Sequence, residues 1–147
     1  MVNASISGET TAGGRSRLPA LLKQHQPQIV VIELGGNDAL RGLPLQQTEE
    51  NLRLMLQVSK ESGAKGLLVG MQMPPNYGAS YGRDFAQIYT RVAQDTHTPL
   101  VPFLLKGVAD APNAAALFQA DRIHPRAEAQ PTMLGNVWPA LKPLLGF

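Results

Sequence analysis

The 147-residue chain contains no cysteine, which excludes disulfide bonds, thiolate nucleophiles and cysteine-ligated metal sites. Charged residues make up only 16% of the chain, and they are scattered, leaving a formal net charge of +2. Without a run of Lys or Arg, no nucleic-acid interface is predicted. No apolar stretch approaches the roughly 18 residues that cross a membrane. The functional signal therefore has to come from other polar residues and from their placement along the chain.

The composition fits one folded domain. Hydrophobic residues make up 44% of the chain, enough to supply a core and to exclude disorder throughout. We find no internal repeat, linker or low-complexity tract, so residues 1–147 are interpreted as a single domain. The first residues contain neither a basic region nor an apolar signal core, so no signal peptide is visible.

Apolar runs alternate with segments of helical period along the chain. The predicted strands cover residues 2–6, 29–34, 66–71 and 100–104. Four helices are predicted, of which the first ends near His25 and the last covers 133–145. The second has Thr48 as its N-cap and Gly63 after its last turn. The third carries four apolar residues on one face: Phe85, Ile88, Tyr89 and Val92. The order β-α-β-α-β-α-β, then a long loop and a helix, predicts the α/β class, with a parallel sheet between two helical layers.

Residues 29–34 have the composition most typical of a buried strand. The segment is β-branched and nearly all apolar, as expected for a strand that is covered on both faces.

Four polar segments follow the predicted strands. They are residues 5–10, 35–38, 73–78 and 121–125. Because the carboxyl ends of parallel strands lie at one edge of the sheet, and ligands bind there, we expect the four segments to converge. This edge is where the sequence predicts a functional site.

Asp121 and His124 form the first candidate pair. Pro125 disfavours the helical conformation for His124, which places the pair in a loop. A carboxylate three residues away in a turn can accept from the imidazole Nδ1 and leave Nε2 free as a general base. The alternative is that Asp121 caps the closing helix and His124 is an ordinary surface residue.

Gly35-Gly36-Asn37-Asp38 is the second candidate. The Asn37 carboxamide offers N–H donors for a developing oxyanion, and the Gly8 backbone N–H can supply another from the neighbouring segment. The alternative is an ordinary turn, since Gly, Asn and Asp are common turn formers.

Other side chains give weaker signals. A metal site from Asp38, Asp121 and His124 has no supporting ligand spacing, so none is predicted. Four side chains near the third segment fit either an acyl- or aryl-binding pocket or the core: Met71, Met73, Tyr77 and Tyr81.

Taken together, four segments resemble the SGNH hydrolase (GDSL-lipase) superfamily, and within it the small bacterial thioesterases, lysophospholipases and arylesterases. They are residues 3–14, 33–38, 75–78 and 121–125, in the order of the family's motifs. The resemblance implies a three-layer α/β/α fold with a flavodoxin-like parallel sheet, in the strand order 2-1-3-4-5.

The resemblance also implies roles for individual residues. Gly8 and Asn37 match the oxyanion donors, His124 matches the base and Asp121 its orienting carboxylate, while Asn76 and Tyr77 match the substrate loop. Family members cleave esters, thioesters and lysophospholipids through an acyl-enzyme without a metal or cofactor. A periplasmic or secreted location is expected on the same basis, with the cytoplasm as the alternative.

One motif of the family is missing. The Gly-Asp-Ser-Leu block, which carries the nucleophilic serine, occurs nowhere in these 147 residues. Ser7 lies closest to the predicted site, but the resemblance does not support it as the nucleophile. The absent strand belongs between residues 2–6 and 29–34, so we expect open sheet edges that favour self-association. A gene fragment, a misplaced start codon or a chain completed by a partner each explain this pattern.

The sequence thus predicts an ester or thioester hydrolase that is inactive as this chain. Two alternatives stay open: a non-catalytic acyl- or glycan-binding module of the same fold, and a two-component receiver-like domain with Lys106 after its last strand.

Overall fold

A computed structural model describes residues 1–146, and the strands of this range form one parallel sheet. The strands are β1 (Ile29–Ile32), β2 (Lys65–Val69) and β3 (Leu100–Val101), in the spatial order β1-β2-β3. Ile32 lies opposite Leu68, and Leu68 lies opposite Leu100. The predicted α/β class and the parallel pairing are confirmed.

Helices connect and cover these strands. They are α1 (Thr11–His25), α2 (Gly36–Leu40), α3 (Leu45–Glu61), α4 (Ala79–Thr96), α5 (Ala114–Leu117) and α6 (Gln130–Leu141), with 3-10 turns at Pro75–Tyr77, Ala127–Ala129 and Lys142–Leu145. Helix α1 begins where the Thr10 side chain accepts from the Gly13 N–H. It ends at His25, and the C-cap residue Gln26 adopts the left-handed conformation before Pro27.

The sheet separates two apolar layers. Leu68 faces the layer in which the buried sides of α3 and α4 meet, whereas Leu67 and Val69 face the opposite side and pack against α6. This alternation follows from the two-residue period of a strand. The predicted helical cover on both faces of the sheet is confirmed.

The helical periods were read correctly from the sequence. On both long helices the predicted face is buried. On α4 it consists of Phe85, Ile88, Tyr89 and Val92. On α3 it consists of Leu52, Met55, Leu56 and Ser59. Gly63 follows the end of α3 with a φ of +88°, as expected for a helix stop.

The predicted strand over residues 2–6 is wrong. The segment has no regular structure, and Val2 and Ile6 are exposed. A strand is stable only when a neighbour satisfies its backbone hydrogen bonds. No described strand lies beside this segment, and the Ser5 N–H instead donates to Oδ1 of Asn3 at 3.0 Å.

The prediction of Thr48 as an N-cap is also wrong. Helix α3 begins four residues earlier than predicted, at Leu45, with Pro44 at its N-cap. Proline needs no hydrogen-bond acceptor and has a fixed φ, so it suits the start of a helix. The Thr48 hydroxyl is buried and donates to Asp38 Oδ1 at 3.1 Å.

Two boundaries near the C-terminus differ from the prediction. Strand β3 ends at Val101, because the next bond to β2 is out of register: the Leu104 N–H, not the Phe103 N–H, donates to the Gly70 carbonyl oxygen at 3.0 Å. The closing helix α6 begins at Gln130 rather than 133 and ends at Leu141, and the chain continues as a 3-10 turn that contains Pro143.

Strand β1 is exposed at one position, Val31. Val31 is 48% exposed, whereas the adjacent Ile32 is 4% exposed and belongs to the core. The expectation that both faces are covered is therefore wrong at Val31. Within residues 1–146, β1 is an edge strand that pairs with β2 alone.

Candidate active site

The carboxyl edge of the sheet carries the candidate site. The turn that contains Asn37 follows β1, the segment with Asn76 and Tyr77 follows β2, and the long loop to His124 follows β3. Parallel pairing places the three strand ends on the same edge.

Asn37 and the Gly8 segment are in direct contact. Asn37 lies in the first turn of α2, and its Nδ2 donates to the carbonyl oxygen of Glu9 at 3.0 Å. Arg41 lies one turn further on and donates from Nη2 to the carbonyl oxygen of Gly8 at 2.9 Å. Gly8 has a φ of +74°, which favours glycine. The structure thus places Asn37 against the residue that follows Gly8.

This contact orients the donors. The Asn37 amide carries two N–H groups, and the bond to Glu9 uses one of them. The Gly8 N–H makes no hydrogen bond within residues 1–146. Two N–H groups on adjacent segments are the arrangement that can stabilise an oxyanion.

The buried hydrogen bonds of Asp38 were not predicted from the sequence. Its buried carboxylate accepts from the Thr11 N–H at 2.9 Å, from the Thr11 hydroxyl, and from the Thr48 hydroxyl at 3.1 Å. A polar residue beside Asn37 at a strand end was a visible signal. Its partners lie 27 and 10 residues away, and no local pattern reveals them.

Asp121 and His124 form the predicted pair. His124 Nδ1 lies 2.7 Å from Asp121 Oδ2, and Asp121 Oδ1 accepts from the backbone N–H groups of Ile123 and His124 at 2.9 and 3.0 Å. The pair lies at the tip of a hairpin closed by the Phe118–Pro125 bridge. The alternative role for Asp121 as a cap of the closing helix is wrong, because α6 begins at Gln130.

The hydrogen bonds define the charge state of Asp121. The bond from His124, followed by the backbone bonds from Ile123 and His124, lowers the pKa of Asp121 to about 2. A carboxylate that is ionised at neutral pH can only accept, so the imidazole donates from Nδ1. The Nε2 atom of a neutral His124 is then an acceptor, as a general base requires.

Packing holds the base of this hairpin near the end of β2. Phe118 lies in an apolar cluster with Met71 and the buried Leu105 and Val108. Met71 follows β2 and also contacts the α3–α4 core. In the described part of the chain, no hydrogen bond joins the Asp121–His124 pair to Gly8 or Asn37, and no serine hydroxyl bonds to His124.

Asn76 and Tyr77 lie in the 3-10 turn after β2, and both are exposed. Gly78 follows with a φ of +94°. Their role in substrate binding stays a prediction. Of the other apolar candidates, Met71, Met73 and Tyr81 pack against the core.

We also searched the described residues for a metal site, a membrane-spanning helix and other cavities. Residues 1–146 hold no group of three or more His, Asp or Glu side chains placed for a metal ion. In the same range, no helix combines the length and apolar character that crossing a membrane demands. A groove of about 600 Å³ opens at the opposite edge of the sheet, beside Lys65 and Pro99, and the Asp121–His124 pair does not line it.

Comparisons with known proteins agree with this geometry. Residues 1–130 match the GDSL-like Lipase/Acylhydrolase family. Esterase TesA of Pseudomonas aeruginosa is 54% identical over 145 residues, which are 99% of this chain and 71% of that protein. Thioesterase 1/protease 1/lysophospholipase L1 of Escherichia coli (strain K12) is 47% identical over 145 residues, 99% of this chain and 68% of that protein. A crystal structure of TesA has a TM-score of 0.92 at 55% identity, covering 97% of this chain and 78% of that chain. The chain belongs to the GDSL-like Lipase/Acylhydrolase family, a family of carboxylic ester hydrolases.

Proposed function

We propose that this chain carries the base, the orienting carboxylate and two oxyanion donors of a serine ester hydrolase. The observation that carries the proposal is the 2.7 Å contact between His124 Nδ1 and Asp121 Oδ2, with the carboxylate fixed by two backbone N–H groups. The substrate class follows from the relatives, which are named as an esterase, a thioesterase and a lysophospholipase. The substrates are carboxylic esters or thioesters.

His124 moves the proton in each half of the reaction. Its Nε2 takes the proton of a serine hydroxyl while the serine oxygen bonds to the carbonyl carbon. Asp121 stabilises the imidazolium that forms, since its carboxylate stays ionised at neutral pH. The imidazolium then gives the proton to the leaving oxygen or sulfur as the bond to the acyl carbon breaks. Water repeats the sequence on the acyl-serine and releases the carboxylic acid.

Asn37 and Gly8 act on the other side of the reacting carbonyl. The second N–H of the Asn37 amide and the backbone N–H of Gly8 donate to the oxygen that becomes negative in the tetrahedral intermediate. A single side-chain donor of this kind contributes about 10²–10³-fold to kcat in a serine hydrolase.

These 147 residues contain no Gly-Asp-Ser sequence, so we propose that they lack the nucleophile. The chain by itself then hydrolyses p-nitrophenyl acetate no faster than its His124→Ala variant. A clear turnover that depends on His124 in the 147-residue chain contradicts this part of the proposal.

The hydrolase assignment is tested by supplying the missing motif. A strand followed by the family's Gly-Asp-Ser-Leu block is added before Met1. We expect the extended chain to hydrolyse p-nitrophenyl acetate and to lose this activity when either the added serine or His124 is changed to alanine. Asn37→Ala should reduce kcat by about 10²–10³-fold.

The same experiment decides between the hydrolase and the non-catalytic acyl- or glycan-binding module. An extended chain that is folded, as shown by circular dichroism, yet inactive on esters and thioesters supports the binding module. The receiver-like interpretation is wrong, because the chain belongs to a hydrolase family.

A further inference from the structure

We propose that Asp38 is a positioning residue for Asn37, and that Thr11 and Thr48 hold it in place. Its buried carboxylate ties the starts of α1 and α3 to α2, and thereby sets the direction of the Asn37 amide. The inference rests on the proposed function, because it concerns the oxyanion donor of that site.

The contacts of the carboxylate come from separate parts of the chain. Asp38 is 2% exposed, and Thr11 and Thr48 are completely buried. Thr11 is the first residue of α1 and donates from both its N–H and its hydroxyl, while Thr48 lies in the first turn of α3. All three donors therefore act on one carboxylate that solvent does not reach.

Burial makes this arrangement specific. A carboxylate removed from water destabilises the fold unless hydrogen bonds replace its hydration. Here, the hydroxyls and the N-terminus of α1, where the helix dipole is positive, supply that replacement. Because the donors lie on two different helices, only one placement of Asp38 satisfies all of them.

A second layer of hydrogen bonds fixes the direction of the Thr11 hydroxyl. Asn51 Nδ2 donates to Thr11 Oγ1 at 3.1 Å, and Arg15 donates to Asn51 Oδ1 at 3.2 Å. Since the oxygen of Thr11 accepts from Asn51, its own proton points at Asp38. The network thus has a defined polarity, from Arg15 to the carboxylate.

Asn37 is adjacent to Asp38 but points elsewhere. Asp38 enters the core, whereas the half-buried Asn37 reaches the Glu9 carbonyl. Helix α2 has only five residues, so its own backbone hydrogen bonds restrain it weakly. Loss of a bond to Asp38 should therefore let α2 turn and move the Asn37 amide.

The test uses the side-chain NH₂ resonances of Asn37 in ¹⁵N–¹H spectra of the 147-residue chain, identified by their loss in Asn37→Asp. Thr48→Val and Thr11→Val keep the side-chain shape but remove the hydroxyl. Thr48→Ser and Thr11→Ser keep the hydroxyl. We expect the Asn37 pair to shift in both valine variants and to stay in place in both serine variants.

Ser59→Ala is the control for general destabilisation. It removes another buried hydroxyl from α3, one that donates to the Met55 carbonyl at 2.8 Å and does not touch Asp38. The proposal is overturned if the valine variants fold without moving the Asn37 pair, or if Ser59→Ala moves it equally.

A further variant decides the question if both valine variants fail to fold. Asn51→Ala removes the donor to Thr11 and leaves Asp38 and its hydroxyl partners intact. A shift of the Asn37 pair in this variant supports the proposal, and an unchanged position overturns it. None of these measurements needs turnover, so their failure is distinguishable from failure of the hydrolase proposal.

Discussion

The hydroxyl of Tyr89 donates a 2.8 Å hydrogen bond to the carbonyl oxygen of Leu34, where the chain leaves β1 for the Asn37 turn. Burial, together with the nearby carboxylates of Glu33 and Asp38, raises the pKa of Tyr89. The phenol therefore stays protonated and donates at neutral and moderately alkaline pH. The residue that orients this strand end comes from α4, 55 positions away in sequence.

Gly35 is required by this contact. A Cβ at Gly35 would lie 2.5 Å from the Tyr89 hydroxyl oxygen, and the φ of Gly35 is +114°. We expect Gly35→Ala to lower the free energy of unfolding by about 2–4 kcal/mol, from steric overlap and backbone strain together. Urea denaturation measures this loss.

The neighbouring glycine gives a matched control. A Cβ at Gly36 meets nothing within 4 Å, so Gly36→Ala should change stability by less than about 1 kcal/mol. In the Tyr89→Phe background the cost of Gly35→Ala should fall, since the clashing oxygen is gone. An equal cost in both backgrounds contradicts the role of Tyr89.

The Asp121–His124 pair predicts a specific titration. The carboxyl ¹³C signal of Asp121 should titrate with a pKa of about 2, below the ordinary 3.8, and His124→Ala should raise that pKa because the His124 bond is the largest cause. The lowered pKa stabilises the fold above the ordinary pKa, and this contribution is lost as the pH falls from about 4 to 2. His97→Ala, outside the pair, should leave the Asp121 titration unchanged.

Val31 is exposed and the adjacent Ile32 is buried, so we expect substitutions at these two residues to differ in their cost to stability. Val31→Thr places a hydroxyl on the exposed face, so the free energy of unfolding should change by no more than about 0.5 kcal/mol. Ile32→Thr removes buried carbon and adds an unpaired hydroxyl in the core, and it should cost about 2–4 kcal/mol. Equal costs in thermal denaturation contradict this orientation of the strand.

Glu49 joins α3 to α4 through Arg91 at 2.6 Å, and it also bonds to Arg53 at 2.9 Å. The hydrogen bond from Arg91 is the main cause that lowers the pKa of Glu49. Glu49→Gln should cost about 1 kcal/mol or less at low salt, and the cost should shrink at high salt because these groups are partly exposed. The contribution exists above the ordinary pKa of 4.5 and is lost as the pH falls below it. Glu50→Gln is the control. If it lowers the free energy of unfolding as much as Glu49→Gln does, and salt does not change that loss, the stabilising role of the Glu49 ion pairs is contradicted.

The helical periods were readable because they are local. The buried residues of α3 and α4 recur every three or four positions, and any packed helix must present them on one face. The residues of the pair Asp121–His124 were predictable for a similar reason, since a carboxylate and an imidazole three residues apart meet within one turn. The wrong strand at 2–6 shows the limit of local patterns, because an apolar alternation forms a strand only beside a partner.

The sequence by itself determined the α/β class, the two long amphipathic helices, the family motifs and the contact between Asp121 and His124, because each depends on neighbours within a few positions. Tertiary structure alone decided that Thr48 binds Asp38 instead of capping a helix, that Tyr89 holds the end of β1, and that Asn37 turns toward Glu9. These contacts join residues 10 to 55 positions apart, and the packing of helices on the sheet selects them. A hydrogen bond between distant residues leaves no periodic trace in sequence, since its energy depends on where the fold places both partners.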